Sequence, residues 1–257
     1  MKLIQGDCLE VMKTLPDNSV DLTVTSPPYD NLRTYNGYVF NFEGIAKELF
    51  RVTKEGGVVV WVVGDATIEG SETGTSFRQA LYFKEIGFNL HDTMIYQFAG
   101  TGAKGSHYCY WQSFEYMLVL SKGKLTTINR IRDHKNVTAG RLGGHVGRFA
   151  NGTRKERGLR ITPKVSVRPN VWRYGGSVGD KTKHPAQFPE KLAHDHIISW
   201  SNEGDTVLDP MMGSGTTGKM AKILNRHFIG IELSKEYFDI ATRRIENTDP
   251  LFQAVRL

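Results

Sequence analysis

Apolar and polar positions along the chain fall into two ordered blocks with a stretch between them in which neither a helical nor a strand period persists. In the first block, Lys2–Gln5 reads as a short strand and Cys8–Leu15 as a helix stopped before Pro16. Val20–Thr25 (VDLTVT) reads as a buried strand that runs directly into Ser26-Pro27-Pro28-Tyr29. Phe42–Val52 is amphipathic, with Ile45, Leu49 and Val52 on one helical face. Gly56-Gly57 then predicts a turn into Val58–Val63, whose β-branched content marks a central strand. Ser76–Ile86 is expected to be a helix ending at Gly87, with His91–Phe98 and Phe114–Leu120 as further strands. The second block opens with a helix over Phe188–Trp200, with Pro189 in its first turn. It continues as strand Asp205–Asp209, a Gly-rich turn, helix Thr216–Leu224, strand His227–Glu232 and helix Lys235–Ile245.

Strands alternating with helices predict an α/β fold on a largely parallel sheet. The organisation expected is one ordered half over residues 1–120, a separate region over 121–183 and a second ordered half over 184–257. The chain starts on a strand and ends on a helix. That last helix can lead in space into the first strand, which makes the sheet a circular permutation of a continuous Rossmann-like one.

Charge sharpens the division. Residues 121–181 hold 15 Lys+Arg against 3 Asp+Glu, a net +12, so the rest of the chain carries 18 against 24, a net −6. A basic stretch with ten glycines inside an acidic body is the footprint of a polyanion partner rather than of one helix with a charged side. No apolar run approaches the ~20 residues needed to cross a bilayer, and the first residues lack a signal-peptide core, so the expectation is a cytoplasmic protein without a membrane partner. The two cysteines, Cys8 and Cys109, form no CxxC or Cys/His cluster, so neither a disulfide scaffold nor a metal site is expected. His194 and His196 point in different directions on a helix and read as solvent or helix-surface residues.

Three motifs carry chemistry. Asp209-Pro210-Met211-Met212-Gly213-Ser214-Gly215-Thr216-Thr217 sits between a strand and a helix, where glycines admit a ligand to the backbone and the helix N-terminus offers N–H groups. It mimics a phosphate-binding GxxxxGK loop, but Met220 stands where that loop needs a hydroxyl for magnesium. Glu232 ends the next strand, 23 residues after Asp209, a position suited to ribose hydroxyls. In the permuted topology the strand beside it is Lys2–Gln5, whose end carries Asp7, suited to an adenine amino group. Ser26-Pro27-Pro28-Tyr29 lies at the carboxyl end of a buried strand, where open α/β sheets bind ligands. Its prolines remove donors and leave rigid acceptors, and Tyr29 adds an aromatic face for an extruded base.

These motifs together resemble the DNA amino-methyltransferase family. The tetrapeptide preceding DPMMGSGTT is the order of its β class. Gly6-Asp7-Cys8, His184-Pro185-Ala186-Gln187-Phe188-Pro189 and Phe228-Ile229-Gly230-Ile231-Glu232 are further matches, and the likeness covers both ordered blocks. It implies a Rossmann-like S-adenosylmethionine-dependent methyltransferase fold, circularly permuted, with the basic stretch in the place of the target-recognition region. Asp209, Pro210, Gly213, Gly215 and Thr216 would cradle the methionine moiety of S-adenosylmethionine, Glu232 its ribose and Asp7 its adenine, with Phe188 packed alongside. Ser26, Pro27, Pro28 and Tyr29 would form the catalytic site for the target base. Arg33, Arg148, Arg154, Lys155, Arg157 and Arg160 are the candidate contacts to double-stranded DNA. Ser26 points to N4 of cytosine, since Ser at that position usually accompanies cytosine in the family and Asp adenine; N6 of adenine is the alternative. Methylation of a ring carbon would need a cysteine after a proline, and here Asp7 precedes Cys8 and Tyr108 precedes Cys109. An RNA or protein methyltransferase and a non-catalytic DNA-binding module are the rival readings. Relatives often dimerise, so a homodimer is an expectation of the resemblance, and cleavage of unmethylated DNA would fall to a separate restriction endonuclease.

Overall fold

The computed structural model describes residues 1–28, 40–100, 110–148, 151–175 and 188–249. In chain order the elements are β1 (Lys2–Gln5), α1 (Cys8–Met12), β2 (Val20–Thr25), α2 (Phe42–Val52), β3 (Thr53–Val63), β4 (Thr67–Ile68), β5 (Ser71–Glu72), α3 (Thr75–Glu85), β6 (Phe88–Phe98) and β7 (Phe114–Lys122). There follow β8 (His134–Lys135), β9 (Leu142–Arg148), β10 (Arg154–Ile161), β11 (Val165–Ser166), β12 (Val171–Tyr174), α4 (Glu190–Trp200), β13 (Thr206–Asp209), α5 (Thr216–Ile223), β14 (His227–Glu232) and α6 (Lys235–Glu246).

An eight-stranded sheet runs in the order β1-β14-β13-β2-β3-β7-β6-β12, with β7 alone antiparallel to its neighbours. The first strand of the chain is thus an edge strand paired in parallel with the last, from Lys2↔Ile229 to Gln5↔Glu232, which is the permuted closure that the alternation predicts. The core forms where helices cover this sheet. On α2, Ile45, Leu49 and Val52 are fully buried, each contributing about 1.5–3 kcal/mol by leaving water. They pack with Trp61, Phe83 and Leu120. The polar end of Trp61 is satisfied within the core by Gln79, its Nε1 donating to Oε1 at 2.8 Å.

Several expectations shift. The Gly56-Gly57 pair is not a turn between elements but an irregularity inside one strand, where pairing with β2 jumps from Val20↔Thr53 to Leu22↔Val58. A Cβ on Gly57 would lie 2.9 Å from the Asp21 and Lys54 carbonyl oxygens, so only glycine fits. β6 begins at Phe88 rather than His91 because its pairing with β7 slips between Leu90 and Asp92, which breaks the alternation visible in sequence. His196 is not on the surface: it is fully buried, accepts from Trp200 Nε1 at 3.2 Å and lies 3.1 Å from Met117 Sδ.

The chain divides into two compact units, residues 1–129 with 170–257, and residues 130–169. The boundaries expected at 121 and 183 therefore move inward, since β7 runs on to Lys122 and β12 joins the main sheet beside β6. Lys122 belongs to the first unit's interior, where its Nζ donates to Asn18 Oδ1 and to the Phe50 and Thr53 carbonyls at 2.8, 2.9 and 3.0 Å. The second unit holds 11 Lys+Arg against 2 Asp+Glu, a net +9. It contains two antiparallel pairs, β9 with β10 and β8 with β11. Within it Arg168 is paired with Asp133. Asn151-Gly152, with Gly152 at φ +81°, sits between β9 and β10; an Asn-Gly pair is the sequence signal that announces such a hairpin.

Candidate active site

Parallel pairing of β13 with β2, Val207↔Leu22 and Leu208↔Thr23, sets the carboxyl ends of these strands side by side. Two motifs whose joined residues lie 184 apart in sequence thereby become neighbours. Thr25, the last residue of β2, donates its hydroxyl to Asp209 Oδ1, the last residue of β13, at 2.8 Å in a fully buried contact. Ser26, Pro27 and Pro28 follow Thr25 at once, with Pro27 buried and Ser26 and Pro28 half-buried. α5 reinforces the junction from above, because Thr217 Oγ1 donates to the Val24 carbonyl at 3.2 Å. Tyr29 and Arg33 lie outside the described residues.

The Gly-rich turn after β13 satisfies much of its backbone internally. Met211 N–H donates to Asp209 Oδ1 at 3.2 Å, Met212 N–H to the Ile231 carbonyl at 2.9 Å and Gly215 N–H to the Met212 carbonyl at 2.8 Å. Gly213 N–H donates to Glu232 Oε2 at 2.9 Å, while Ser234 N–H donates to Glu232 Oε1 at 2.8 Å. Glu232 thus ties the turn to the end of β14, and its carboxylate keeps acceptor capacity for a ligand beyond these bonds. Four N–H groups of this turn, those of Met211, Met212, Gly213 and Gly215, thus serve the fold ahead of the first residue of α5.

Glycine is required at Gly215 by conformation and by packing. Its φ is +81°, and a Cβ there would lie 3.0 Å from the Ala241 Cβ of α6. Gly215 therefore lets α6 approach the turn. Thr216, the first residue of α5, is buried, and its Oγ1 accepts from the Arg244 guanidinium at 3.3 Å. Arg244 also reaches the Ser214 carbonyl and hydroxyl, both at 3.2 Å, and Glu190 Oε1 at 2.7 Å. Lys219 donates to the same Glu190 oxygen at 2.6 Å. Arg244, Glu190 and Lys219 bind the turn to three helices, and no periodic signal in the sequence marks them as partners. Phe188 is half-buried just before Pro189, the N-cap of α4, so it precedes that helix rather than lying on it. Pro210 is buried.

Asp7 stands at the end of β1, where Gly6 N–H donates to the Glu232 carbonyl at 2.9 Å. Asp7 is the N-cap of α1, its Oδ1 accepting from Leu9 and Glu10 N–H at 2.9 and 3.1 Å. Glu232 and Asp209 thus end two adjacent parallel strands, and Asp7 follows two residues after the third, β1.

Burial pushes the Asp209 carboxyl up to about 6, against the downward pull of the Thr25 hydrogen bond, the Thr217 hydroxyl beside it and the bond from Met211 N–H, while the charge of Glu232 adds to the rise. Burial likewise raises Glu232, opposed by its bonds from the Ser234, Gly213 and Leu233 N–H groups. Two carboxylates held against both burial and mutual repulsion gain from a cationic ligand and would repel a triphosphate. The sulfonium and ammonium charges of S-adenosylmethionine fit that donor set. Among the described residues no group of His, Cys, Asp and Glu could hold a metal ion.

Residues 20–243 match the family model described as DNA methylase, the N6/N4 type. The chain belongs to the N6/N4 DNA methylase family. A relative in that family, the orphan methyltransferase M.BamHII of Bacillus amyloliquefaciens, is 56% identical over 244 residues, covering 91% of this chain and 92% of the relative. The structure of M1.HpyAVI in complex with SAM superposes with a TM-score of 0.66 at 26% identity, over 95% of this chain and 98% of that one. The cytosine-N4-specific PvuII DNA methyltransferase, at 20% identity and a TM-score of 0.68 over 98% of this chain and 89% of that one, shares the fold. As an N6/N4 DNA methylase the chain acts on DNA, and the permuted α/β sheet with its two joined motifs is the methyltransferase fold that the sequence implies. Among the described residues no helix is long and apolar enough to cross a membrane.

Proposed function

We propose that the protein transfers a methyl group from S-adenosylmethionine to the N4 amino group of a cytosine extruded from double-stranded DNA. The observation that carries this reading is the Thr25–Asp209 bond of 2.8 Å, which locks the Ser26-Pro27-Pro28 segment against the cofactor turn. Bound there, the cofactor supplies a methyl group already activated by its sulfonium. The residues then have only to hold the amino nitrogen in line with it and keep water away. Ser26 Oγ and the Pro27 carbonyl accept hydrogen bonds from the amino group, which draws its lone pair out of conjugation with the ring. With the cofactor bound, these acceptors would keep the nitrogen aimed at its methyl carbon; the thioether S-adenosylhomocysteine would be the leaving group and the amino proton would pass to water. Tyr29 stacks on the extruded base, Glu232 holds the ribose and Asp7 the adenine of the cofactor. M.BamHII is described as an orphan methyltransferase, which favours action without a paired restriction endonuclease, and DNA is the partner that this reading requires.

Ser26 is the basis for choosing cytosine. A serine hydroxyl both donates and accepts, whereas an aspartate in its place is a stronger, charged acceptor for an adenine amino group. Digestion of DNA methylated by the purified protein, followed by mass spectrometry of the nucleosides, is expected to show N4-methylcytosine. N6-methyladenine alone would move the target to adenine and leave the cofactor site standing; absence of both would overturn the activity.

Tyr29→Ala is expected to lower turnover about ten-fold or more, as loss of a stacking contribution of ~1–3 kcal/mol implies, with S-adenosylmethionine affinity nearly unchanged. A parallel fall in cofactor affinity would show that the base and cofactor sites are not separate.

A further inference from the structure

All five second-unit cations expected at DNA, Arg148, Arg154, Lys155, Arg157 and Arg160, lie on the β9–β10 ribbon, and its register divides them. The pairs run Arg154↔Arg148, Lys155↔Gly147, Glu156↔Val146 and Arg157↔His145, then, after an irregularity between Arg157 and Leu159, Leu159↔Gly144, Arg160↔Gly143 and Ile161↔Leu142. Successive pairs occupy opposite faces of an antiparallel ribbon. One face therefore carries the positions of Lys155, Arg157 and Arg160, set opposite Gly147, His145 and Gly143. The other carries Arg148 and Arg154 beside the turn, followed by Val146 with Glu156, then Leu159, and finally Leu142 with Ile161.

The irregularity at Gly158 produces this segregation. In an unbroken strand Arg157 and Leu159 would share a face, and Arg160 would join Arg154 and Glu156. The one-residue slip exchanges Leu159 for Arg160 and gathers three cations on one side. Leu142, Leu159 and Ile161, all on the opposite side, are 64%, 69% and 67% exposed, so the apolar side chains are kept off the basic face. Glycine at 143 is not demanded by the fold: its φ lies outside the left-handed region, and a Cβ there would meet nothing within 4 Å. The position opposite Arg160 therefore carries no side chain and has open space beside it.

We infer that the ribbon docks on duplex DNA through its Lys155–Arg157–Arg160 face, entering the major groove with the glycines of β9 against the nucleic acid. Two strands ~4.8 Å apart form a ribbon that a groove ~12 Å wide admits, and a face of three cations without an acidic residue complements the phosphate backbone. Arg148 and Arg154, on the other face, are not part of this contact. The inference rests on the reading of the chain as a DNA methyltransferase.

The test is equilibrium binding of a random-sequence 30-base-pair duplex (~100 Å long at 3.4 Å per pair) across a salt series, with S-adenosylmethionine binding by the same samples as the fold control. K155Q/R157Q/R160Q is expected to reduce the slope of log K against log salt by ~2.7, about 0.9 for each phosphate contact. R148Q/R154Q should leave the slope within about half a contact of the wild type. Gly143→Val adds bulk to the binding face without changing charge and should weaken binding several-fold at an unchanged slope. An unchanged slope in the triple variant, or an equal loss per charge in the double variant, would overturn the assignment of faces. Full affinity in Gly143→Val would overturn the close approach of β9. If the wild type itself bound no duplex, the DNA reading would fail, a result separable from failure of the ribbon assignment.

Discussion

Glu232→Ala is expected to weaken S-adenosylmethionine binding about 100-fold, roughly 3 kcal/mol, while the protein remains folded. Two losses combine. The first is the acceptor for the cofactor's ribose hydroxyls; hydrogen bonds to a charged group are worth ~1.5–3 kcal/mol. The second is the anchor that holds Gly213 N–H at 2.9 Å and Ser234 N–H at 2.8 Å, without which the turn is no longer shaped before the ligand arrives. Calorimetric titration measures the affinity and thermal unfolding checks the fold. A dissociation constant equal to that of the wild type would remove Glu232 from the site.

Asp209→Asn should change stability and affinity in opposite directions. Asparagine keeps an oxygen to accept from Thr25 and Met211, and its amide can donate to the Thr217 hydroxyl. It removes a charge that the fold buries at a cost. Burial holds the carboxyl at about 6 in the folded protein against an ordinary 3.8. Its contribution to stability is therefore present below the unfolded value and lost as pH rises through about 6. At pH ~8 the penalty is on the order of 3 kcal/mol, from ~1.36 kcal/mol per pH unit. The variant should be more stable by up to about that amount at pH ~8 and gain nothing near pH ~4. Cofactor affinity should move the other way. In the wild type, affinity for the cationic cofactor should fall as pH drops through about 6 and Asp209 takes up a proton. In Asp209→Asn affinity should be low throughout and lose that pH dependence. Chemical denaturation and cofactor titration between pH ~5 and ~8 read both effects. A variant that kept wild-type affinity at pH ~8 would show that the charge serves no ligand.

The alternation of strands and helices, and with it the permuted sheet, was legible in the sequence because its central strands are buried runs rich in β-branched residues, such as Val20–Thr25 and Val58–Val63. The helix faces were legible for the same reason, Ile45, Leu49 and Val52 recurring at helical spacing. The chemical motifs were legible because they are contiguous: Ser26 to Tyr29, and Asp209 to Thr217. The β9–β10 ribbon escaped the period-based reading. Its strands are LGGHVGR and RKERGLRI, where glycine and charge replace alternating apolar residues and pairing rests on the main chain. The Asn151-Gly152 signal between them was the one cue to its presence.

By itself the sequence determined the α/β class, the permuted order of motifs, the membership in a DNA-methylating family and the concentration of positive charge in one segment. These are properties of local patterning and composition, which hydrophobic periodicity and contiguous motifs record directly. Only the tertiary structure decided which groups meet. It placed Thr25 on Asp209, turned the Gly213 N–H onto Glu232, buried Lys122 and His196, and used Gly215 to admit α6. It also assigned Arg160 to the face of Lys155 and Arg157. Each of these depends on strand register or on helices packed from distant parts of the chain. A single-residue slip in register exchanges the two faces of a strand without altering its composition, so the sequence pattern alone carries no record of it.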